Sequence, residues 1–267
     1  MGGGVATDPH AMTVEATAAR GPAPISLSAQ ITALSPQHYY KFNEASGSAI
    51  DYGSLAINAT AVGTPSYRQV AGPDGDSYAG WPGSFDGFTA VVSTGQWHLA
   101  SATGETITVC AAVRPTTWNF GGSVRPNILI FGDSVPRFWR FGDGFGAGDL
   151  FLQQFDNTPA EKTRYSVEST SVFTTAVWHF VVGRLKRSVA SDFWIDTSTE
   201  RAQQGFSEFS TIPEYQGGTQ LNLGHWPPDS TYDWRGQMAH MAIWNGALSD
   251  DNILALINAA RNNGWTP

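Results

Sequence analysis

The sequence predicts an all-β fold, a two-sheet antiparallel sandwich closed by one C-terminal helix and preceded by an extended N-terminal arm. From His38 onward, short runs rich in β-branched and aromatic residues recur, which is typical of strands. The 29 Gly and 15 Pro are scattered along the chain, as tight turns between strands require. No helical segment separates the runs, so we expect antiparallel pairing rather than parallel crossovers.

The chain is expected to divide at about residue 30. Residues 1–30 are rich in Gly, Ala, Thr and Pro and poor in large apolar side chains, so they should form an arm, in which Ile25 to Leu34 is already extended. This arm is interpreted either as a flexible leader or as a segment that becomes ordered on a larger assembly. Residues 31–267 are predicted to be one sandwich domain, a size that such folds commonly reach as single units.

About a dozen strands are expected. Reversals between them are indicated by pairs such as Asn245-Gly246, because Gly tolerates the backbone angles of tight turns. The predicted strands are HYYKFNE, LAINATAV, GSFDG, FTAVVS, ETITVCAAVR, NILIFGD, RFWRFG, DLFLQQF, AVWHFVVGRLKR, SDFWID, TQLNLGH and QMAHMAIW.

After Trp244 the apolar period changes from that of a strand to that of a helix. Ser249 is suited to cap the N-terminus, the two aspartates that follow suit the positive end of the helix dipole, and Asn263-Gly264 should end it. The apolar face packed on the sandwich is expected to contain Ile253, Leu254, Ile257 and Ala260.

Charge and composition exclude several classes of partner. The net charge is -8 and the pI about 5.1, so the surface should repel nucleic acid and anionic membranes. No apolar stretch has the length of a membrane-spanning helix, and no secretory signal is recognisable, so we expect a protein that stays soluble where it is made. The single cysteine, Cys110, is expected to be a buried strand residue rather than a reactive thiol.

An ordered set of motifs runs along the chain from Leu34 to Asn262. A Y-x-F-x-E strand is followed by a small-residue turn and an aspartate, then by an S-F-D-G turn, a V-R-P strand end, a Trp-His pair, and a last strand before N-x-A-L-S-D. These motifs are Tyr40, Phe42, Glu44, Gly47 and Asp51; Ser84 to Gly87; Ala112, Val113 and Pro115; Trp178-His179; and Gly236 to Asp250. The set resembles the laminin G-like domains of the concanavalin A-like lectin and glucanase superfamily, and the resemblance implies a jelly-roll sandwich of two curved sheets.

The resemblance also bears on metal binding. The family's aspartate in the last strand, which often helps to hold a structural calcium, falls on Ala239, and the following glutamate falls on His240. Because Ca²⁺ takes six or more oxygens, the lost carboxylate weakens such a site, and no cofactor is expected. The remaining candidate ligands are Asp51, Asn58 and Asp86, for which turn formation is the other interpretation.

His240 lies in the middle of the last strand. Alternation through Met238, Ala242 and Trp244 places it on one strand face, where a half-buried, hydrogen-bonded imidazole without a catalytic role is expected.

Other members of the superfamily hydrolyse polysaccharides, so a glycoside hydrolase is one alternative. That reaction needs two carboxylates flanking one bond. The resemblance implies that such enzymes place them on one strand, as E-x-D-x-E or E-x-D-x-x-E. The nearest match is Asp192 and Asp196, four residues apart, with the second at an expected hairpin tip. The prediction is therefore that the protein is not an enzyme and has no catalytic residue.

Carbohydrate binding is a second alternative, because sugars stack their C–H faces on exposed aromatic rings. The candidates, each beside Gly, Pro, Asn or Asp in an expected loop, are Trp81, Trp118, Trp226 and Trp234. Trp97, Trp178 and Trp244 are assigned to packing.

The favoured interpretation is a bacteriophage virion protein, either a minor tail protein or a capsid decoration protein. A laminin G-like module with an Ala/Gly/Pro arm and no cysteine pair resembles such proteins, and 12 Arg against 3 Lys fits a GC-rich genome. The expected partners are other virion proteins through the arm, host-surface carbohydrate, and a second copy of the chain. The expected location is the virion, assembled in the host cytoplasm, with a secreted carbohydrate-binding module as the extracellular alternative.

Overall fold

The computed structural model of the chain describes residues 25–71, 77–81, 87–91, 106–116, 127–131, 139–143, 150–155, 161–163, 166–167, 174–186, 191–196, 202–204, 220–225 and 233–262. These residues form helix α1 (Leu27–Ala33), helix α2 (Asp250–Asn262) and strands β1 (His38–Tyr40), β2 (Thr60–Val62), β3 (Ser66–Ala71), β4 (Ser77–Trp81), β5 (Gly87–Val91), β6 (Thr106–Pro115), β7 (Asn127–Phe131), β8 (Trp139–Asp143), β9 (Leu150–Phe155), β10 (Glu161–Thr163), β11 (Ser166–Val167), β12 (His179–Lys186), β13 (Ser191–Ile195), β14 (Ala202–Gln204), β15 (Gln220–Leu223) and β16 (Gly236–Trp244).

The strands form two eight-stranded sheets. The first has the order β14-β13-β12-β6-β16-β4-β3, with β1 also paired to β16; the second has the order β10-β9-β8-β7-β15-β5-β2, with β11 paired to β9. Every strand pairing in the described ranges is antiparallel. The predicted antiparallel two-sheet fold is therefore confirmed.

Strand β6 lies near the middle of the first sheet, and its side chains alternate between two apolar layers. Ile107 and Val109 belong to an inner core that also contains Leu221 of the second sheet, so this core fills the space between the sheets. Cys110 and Ala112 belong to an outer core on the other face. Both faces of β6 are thus buried, and the expectation of a buried Cys110 is confirmed.

The outer core lies between the first sheet and the two helices. It joins Leu27 and Ile31 of α1, Ile257 of α2 and Trp244 of β16, and the Nε1 atom of Trp244 donates to the carbonyl of Leu34 at 3.0 Å. The helices therefore cover the sheet face that points away from the second sheet.

Helix α1 is a difference from the sequence prediction, which made Ile25 to Leu34 extended. Ser26 caps this helix, accepting the backbone N–H of Ala29 at 3.1 Å. At seven residues, α1 is too short to be stable by local propensity, and the burial of Leu27 and Ile31 in the outer core accounts for it.

Helix α2 begins after Ser249 as predicted, and the Ser249 hydroxyl accepts the Asn252 N–H at 3.2 Å. The prediction of its buried face is wrong at Leu254, which is 39% exposed, whereas Leu256 is fully buried. Starting from Ile253, positions three and four residues later share a helix face, but the next residue is rotated away from it.

Strand β16 contains a β-bulge between Ala239 and Ala242, where His240 adopts a φ of 47°. Met238 and Met241 consequently both face the inner core, so the bulge reverses the alternation expected from the sequence. His240 is fully buried rather than half-buried, and its Nδ1 hydrogen-bonds the Tyr39 hydroxyl at 2.7 Å.

Strand β1 is shorter than the predicted HYYKFNE strand because Phe42 adopts a φ of 60°. Of the predicted strand LAINATAV, Thr60–Val62 is in β2. No helix among the described residues has the length and hydropathy to span a membrane.

Candidate functional site

Several strand ends lie close together at one end of the sandwich, as the residue pairs between the strands show. Gly236, the first residue of β16, pairs with Trp81 at the end of β4 and with Pro115 at the end of β6. The Thr116 N–H donates to the Arg235 carbonyl at 3.0 Å. We call the cluster formed by Trp81, Pro115–Thr116, Gly224–His225 and Asp233–Gly236 the Gly236 end.

The second sheet joins this end through backbone hydrogen bonds. The Trp234 N–H donates to the Gly224 carbonyl at 2.8 Å, and the Gly224 N–H donates to the Ile128 carbonyl at 3.0 Å. The ends of strands from both sheets are therefore tied together by main-chain contacts, which makes the base of this end rigid.

Close backbone packing at this end requires a glycine. Gly236 has a φ of 148°, and a Cβ atom there would lie 2.2 Å from the carbonyl oxygen of Arg114. The Arg114 guanidinium in turn donates to the Gln237 side chain at 2.7 Å and to the Ala176 carbonyl at 2.9 Å.

A buried histidine–aspartate pair closes the base of the connection after β15. His225 Nδ1 donates to Asp233 Oδ1 at 3.0 Å, and both side chains are buried. The pair fixes the two points between which residues 226–232 run.

The four candidate tryptophans fall as follows. Trp81 is the last residue of β4, in the Gly236 end. Trp234 is fully buried in the inner core, so its ring offers no face to solvent. Trp118 and Trp226 lie outside the described residues; along the chain they follow Thr116 by two positions and His225 by one.

A second histidine–aspartate pair lies at the start of β12. His179 Nδ1 donates to Asp196 Oδ2 at 2.6 Å, while Asp196 Oδ1 accepts the Phe180 N–H at 2.7 Å. The Thr174 hydroxyl is 3.4 Å from His179 Nε2, an order of groups similar to a nucleophile triad. However, both the backbone N–H and the carbonyl oxygen of Thr174 lie closer to Nε2, at 3.1 Å each, so the Thr174 backbone occupies Nε2 whether that atom accepts or donates.

Asp192 and Asp196, the acidic residues considered for hydrolysis, are each held by a different basic side chain. Asp192 is fully buried and accepts Nε of Arg184 at 3.0 Å together with its Nη2 group. Arg184 also donates to the Leu248 carbonyl at 2.7 Å and pairs with Asp250 at 2.7 Å, which ties α2 to the first sheet. With Asp196 held by His179, neither carboxylate is placed as a general acid or base.

The metal candidates Asp51 and Asn58 are brought together, but as hydrogen-bond partners. The Asn58 side-chain oxygen accepts the Asp51 N–H at 3.0 Å. The Asp51 carboxylate accepts from the backbone N–H groups of Tyr39, Gly53 and Ile57, at 2.8, 2.8 and 3.0 Å.

His38 Nδ1 is the fourth donor to Asp51, at 2.7 Å, and both side chains are fully buried. Four N–H groups thus point at the oxygens that Ca²⁺ would need, so this site does not fit a calcium ion. The third candidate, Asp86, lies outside the described residues. In the described part of the chain, no cluster of three or more His, Cys, Asp or Glu side chains could hold a metal.

Sequence reasoning did not find the histidine–aspartate pairs as partners. Their members are 8 to 17 residues apart along the chain. Asp51 and His179 were noted as motif residues and Asp196 as a candidate acidic residue, but none of them was predicted to belong to such a pair. Which histidine each aspartate meets depends on the fold.

The comparisons with known proteins agree with this architecture. Residues 85–254 match the family described as the Concanavalin A-like lectin/glucanases superfamily, which is more than half of the 267 residues. No curated protein matches the chain in sequence.

Several solved structures are similar in fold. The receptor binding domain of botulinum neurotoxin D is 11% identical, with a TM-score of 0.61 over 84% of this chain and 52% of that one. The serotype D ligand binding domain in complex with N-acetylneuraminic acid is 10% identical, with a TM-score of 0.60 over 87% and 52%. The binding domain of Paraclostridial Mosquitocidal Protein 1 is 9% identical, with a TM-score of 0.61 over 84% and 52%. The chain spans about half the length of each of these structures.

Proposed function

This chain belongs to the concanavalin A-like lectin/glucanases superfamily, and we propose that it is a non-enzymatic, lectin-like protein that binds carbohydrate at the Gly236 end. The convergence of strand ends there carries the proposal. Trp81 lies in this end, and Trp118 and Trp226 follow strand ends that belong to it. Tryptophans suit a carbohydrate ligand, because the C–H faces of sugars stack on aromatic rings.

Two further observations support a carbohydrate ligand. Solved structures with this fold include binding domains of toxins, one of them in complex with N-acetylneuraminic acid. The net charge of -8 disfavours nucleic acid as a partner.

The absence of an enzymatic role is proposed from the acidic side chains. Asp192 and Asp196 are held by Arg184 and His179, and their contacts stabilise the fold. A glycosidase needs one carboxyl group that gives up a proton and another that attacks or activates water.

A glycan array tests the proposal. We expect wild type to bind a defined set of saccharides, and Trp118→Ala and Trp226→Ala each to weaken binding about tenfold, or about 1.4 kcal/mol. Leu254→Ala removes an exposed apolar side chain from α2, away from the Gly236 end, and is the matched control, expected to bind as wild type does. Retained binding in both Trp variants would place the ligand elsewhere, and release of reducing ends from β-glucans would refute the non-enzymatic role.

We further propose that this lectin-like domain is carried on a bacteriophage particle, as a minor tail or capsid decoration protein, with residues 1–24 contacting neighbouring virion proteins. Support comes from the Gly-, Ala- and Thr-rich composition of these residues and from 12 Arg against 3 Lys. A secreted carbohydrate-binding module is the competing location.

Mass spectrometry of purified virions tests this role. The protein should be present, and a chain without residues 1–24 should fold but fail to be incorporated. The truncation must end before Leu27, because Leu27 and Ile31 belong to the outer core. Normal incorporation of the truncated chain would exclude the role of the arm.

A further inference from the structure

A cationic side chain lies over exposed aromatic surface on the β1 side of the first sheet. Tyr52 is 46% exposed, and the Lys41 ammonium lies 4.5 Å from its ring centroid and 5.8 Å from that of Tyr39. The two rings are 6.2 Å apart. Among the described residues, no carboxylate lies within ion-pair distance of the Lys41 ammonium.

The backbone beneath Tyr52 is held at three successive N–H groups. Ile50 donates to Glu44 Oε1 at 2.9 Å, Asp51 to Asn58 Oδ1 at 3.0 Å, and Tyr52 to the Tyr39 carbonyl at 2.8 Å. Asp51, the residue before Tyr52, has four donors on its carboxylate. The exposed ring is therefore presented from a preorganised segment, which lowers the entropy lost on binding.

Backbone strain lies on both sides of this segment. Phe42 adopts a φ of 60° and Ala56 a φ of 52°, in the left-handed region that non-glycine residues avoid. Each such residue costs on the order of 1 kcal/mol. Phe42, the residue after Lys41, is fully buried.

A carboxylate completes the cluster. Glu44 lies close enough for its charge to be felt at Tyr52: the pKa of the Tyr52 hydroxyl is raised by burial and then by Glu44. The Tyr52 hydroxyl can donate a hydrogen bond. Glu44 uses Oε1 for the Ile50 N–H and offers its other oxygen as an acceptor.

We propose that Lys41, Glu44 and Tyr52 form a second saccharide site, which takes a sugar ring that bears a carboxylate. The exposed part of the Tyr52 ring meets the C–H face of the sugar, Lys41 pairs with the carboxylate, and Glu44 accepts from a sugar hydroxyl. The nearby charge of Glu44 favours a singly charged carboxylate over a doubly charged phosphate.

The site is separate from the Gly236 end. Tyr39 pairs with Ala242, six residues after Gly236, which is about 20 Å along β16 at the usual strand rise. The inference relies on the proposed function only for its ligand class. Its residues are different, so the two sites are tested independently.

Titration calorimetry with acidic oligosaccharides tests the site. The probes are a hexuronate trisaccharide and a sialyl trisaccharide, which distinguish the two sources of a carboxylate, each beside its carboxyl-reduced form. We expect wild type to prefer at least one acidic probe over its reduced form. Lys41→Gln should lose about tenfold in affinity for that probe and none for the reduced form, because only the ion pair is removed.

Tyr52→Ala should weaken the binding of both the acidic probe and its carboxyl-reduced form. Trp226→Ala should leave the preference for the acidic probe unchanged. Tyr52 is exposed, so an unchanged urea midpoint will show that Tyr52→Ala is folded. The inference is overturned if wild type shows no acid preference or if Lys41→Gln binds the acidic probe as wild type does, while binding that depends on Trp118 or Trp226 would still support the proposed function. Failure of wild type to bind any saccharide overturns both.

Discussion

Buried histidine–aspartate pairs join separate segments of this sandwich. His38–Asp51, His179–Asp196 and His225–Asp233 each join the Nδ1 atom of a histidine to a carboxylate at 2.6 to 3.0 Å. Two of the carboxylates also accept backbone N–H groups, so each of these two pairs orders both ring and main chain. Charge-assisted hydrogen bonds in a buried setting are strong and costly to break.

Asp51→Ala should destabilise the fold more than an ordinary surface substitution. Four donors lose their acceptor, and the buried ones cannot be satisfied by water, so we expect a loss of about 3 kcal/mol in the free energy of unfolding. Urea unfolding measures it. Glu44→Gln, at a partly exposed carboxylate with one backbone contact, is the control and should cost less than about 1 kcal/mol. Equal losses of unfolding free energy in the two variants would contradict the role of the Asp51 carboxylate as a shared acceptor.

Stability should fall in alkaline solution. Burial raises the pKa of Cys110 above its usual 9.0, and burial together with the charge of Asp51 raises the pKa of Tyr40 above its usual 10.0. The unfolded chain therefore releases these protons first, so both contributions are complete below about pH 8; that of Cys110 is lost as pH rises past 9.0 and that of Tyr40 as pH rises past 10.0. Each group adds a slope of about 1.4 kcal/mol per pH unit.

Denaturant unfolding of wild type and Cys110→Ala between about pH 8 and 10.5 measures how much the thiol contributes to the pH dependence of the free energy of unfolding. The variant should lose less stability with rising pH than wild type does. Identical slopes would show that the thiol does not contribute.

Single-residue outcomes could be predicted where local chemistry decides them. Ser249 as a helix cap follows from its position before two aspartates, and Cys110 as a core residue follows from its apolar strand. Trp234 could not be placed in the core, because its neighbours in sequence are polar and its burial arises from the packing of both sheets. The partners of Asp51 could not be predicted either, since they are brought together by the turn between β1 and β2.

At the level of elements, the start of β16 depends on one glycine. Gly236→Ala would place a Cβ 2.2 Å from the Arg114 carbonyl oxygen, against backbone that cannot move without breaking the β6 pairing. We expect a loss of more than about 2 kcal/mol in the free energy of unfolding, and weaker saccharide binding at the Gly236 end.

Gly246→Ala is the matched control, because nothing lies within 4 Å of its Cβ position. It should change the free energy of unfolding by less than about 1 kcal/mol. Thermal unfolding compares the stability of Gly236→Ala with that of Gly246→Ala. Similar midpoints would mean that the Gly236 end is loosely packed.

The face of α2 provides a second matched pair. Leu256 is fully buried and Leu254 is 39% exposed, two residues apart on one helix. Leu256→Ala should cost about 2 to 5 kcal/mol because it leaves a cavity against the first sheet, and Leu254→Ala less than about 1 kcal/mol. Chemical denaturation gives both values. A larger cost at Leu254 would mean that α2 is rotated from the orientation described.

Elements were predictable to different degrees. Helix α2 carries a cap, acidic residues at its start and a clear apolar period, so local signals suffice. Helix α1 carries a cap but only two buried apolar residues, and its stability comes from packing. The bulge in β16 leaves no local signal, because His240 adopts its left-handed backbone without glycine.

The described residues form three layers. The second sheet and the inner core form one side, the first sheet lies in the middle, and the outer core with α1 and α2 forms the other side. The helical layer covers one face of the first sheet, and the two proposed binding sites lie at the strand ends and on the β1 side. Composition and turn chemistry were sufficient to predict the layered antiparallel fold, because both report on the many short strands that such a fold needs.

The central claim is that this sandwich binds saccharide at its Gly236 end without cleaving it. Equilibrium binding followed by mass spectrometry of the recovered ligand tests this most directly, with wild type and a Trp118→Ala/Trp226→Ala double variant. We predict that wild type retains the saccharide, that the ligand is recovered at its original mass, and that the double variant loses at least about tenfold in affinity. Shortened products, or unchanged binding by the double variant, would contradict the account.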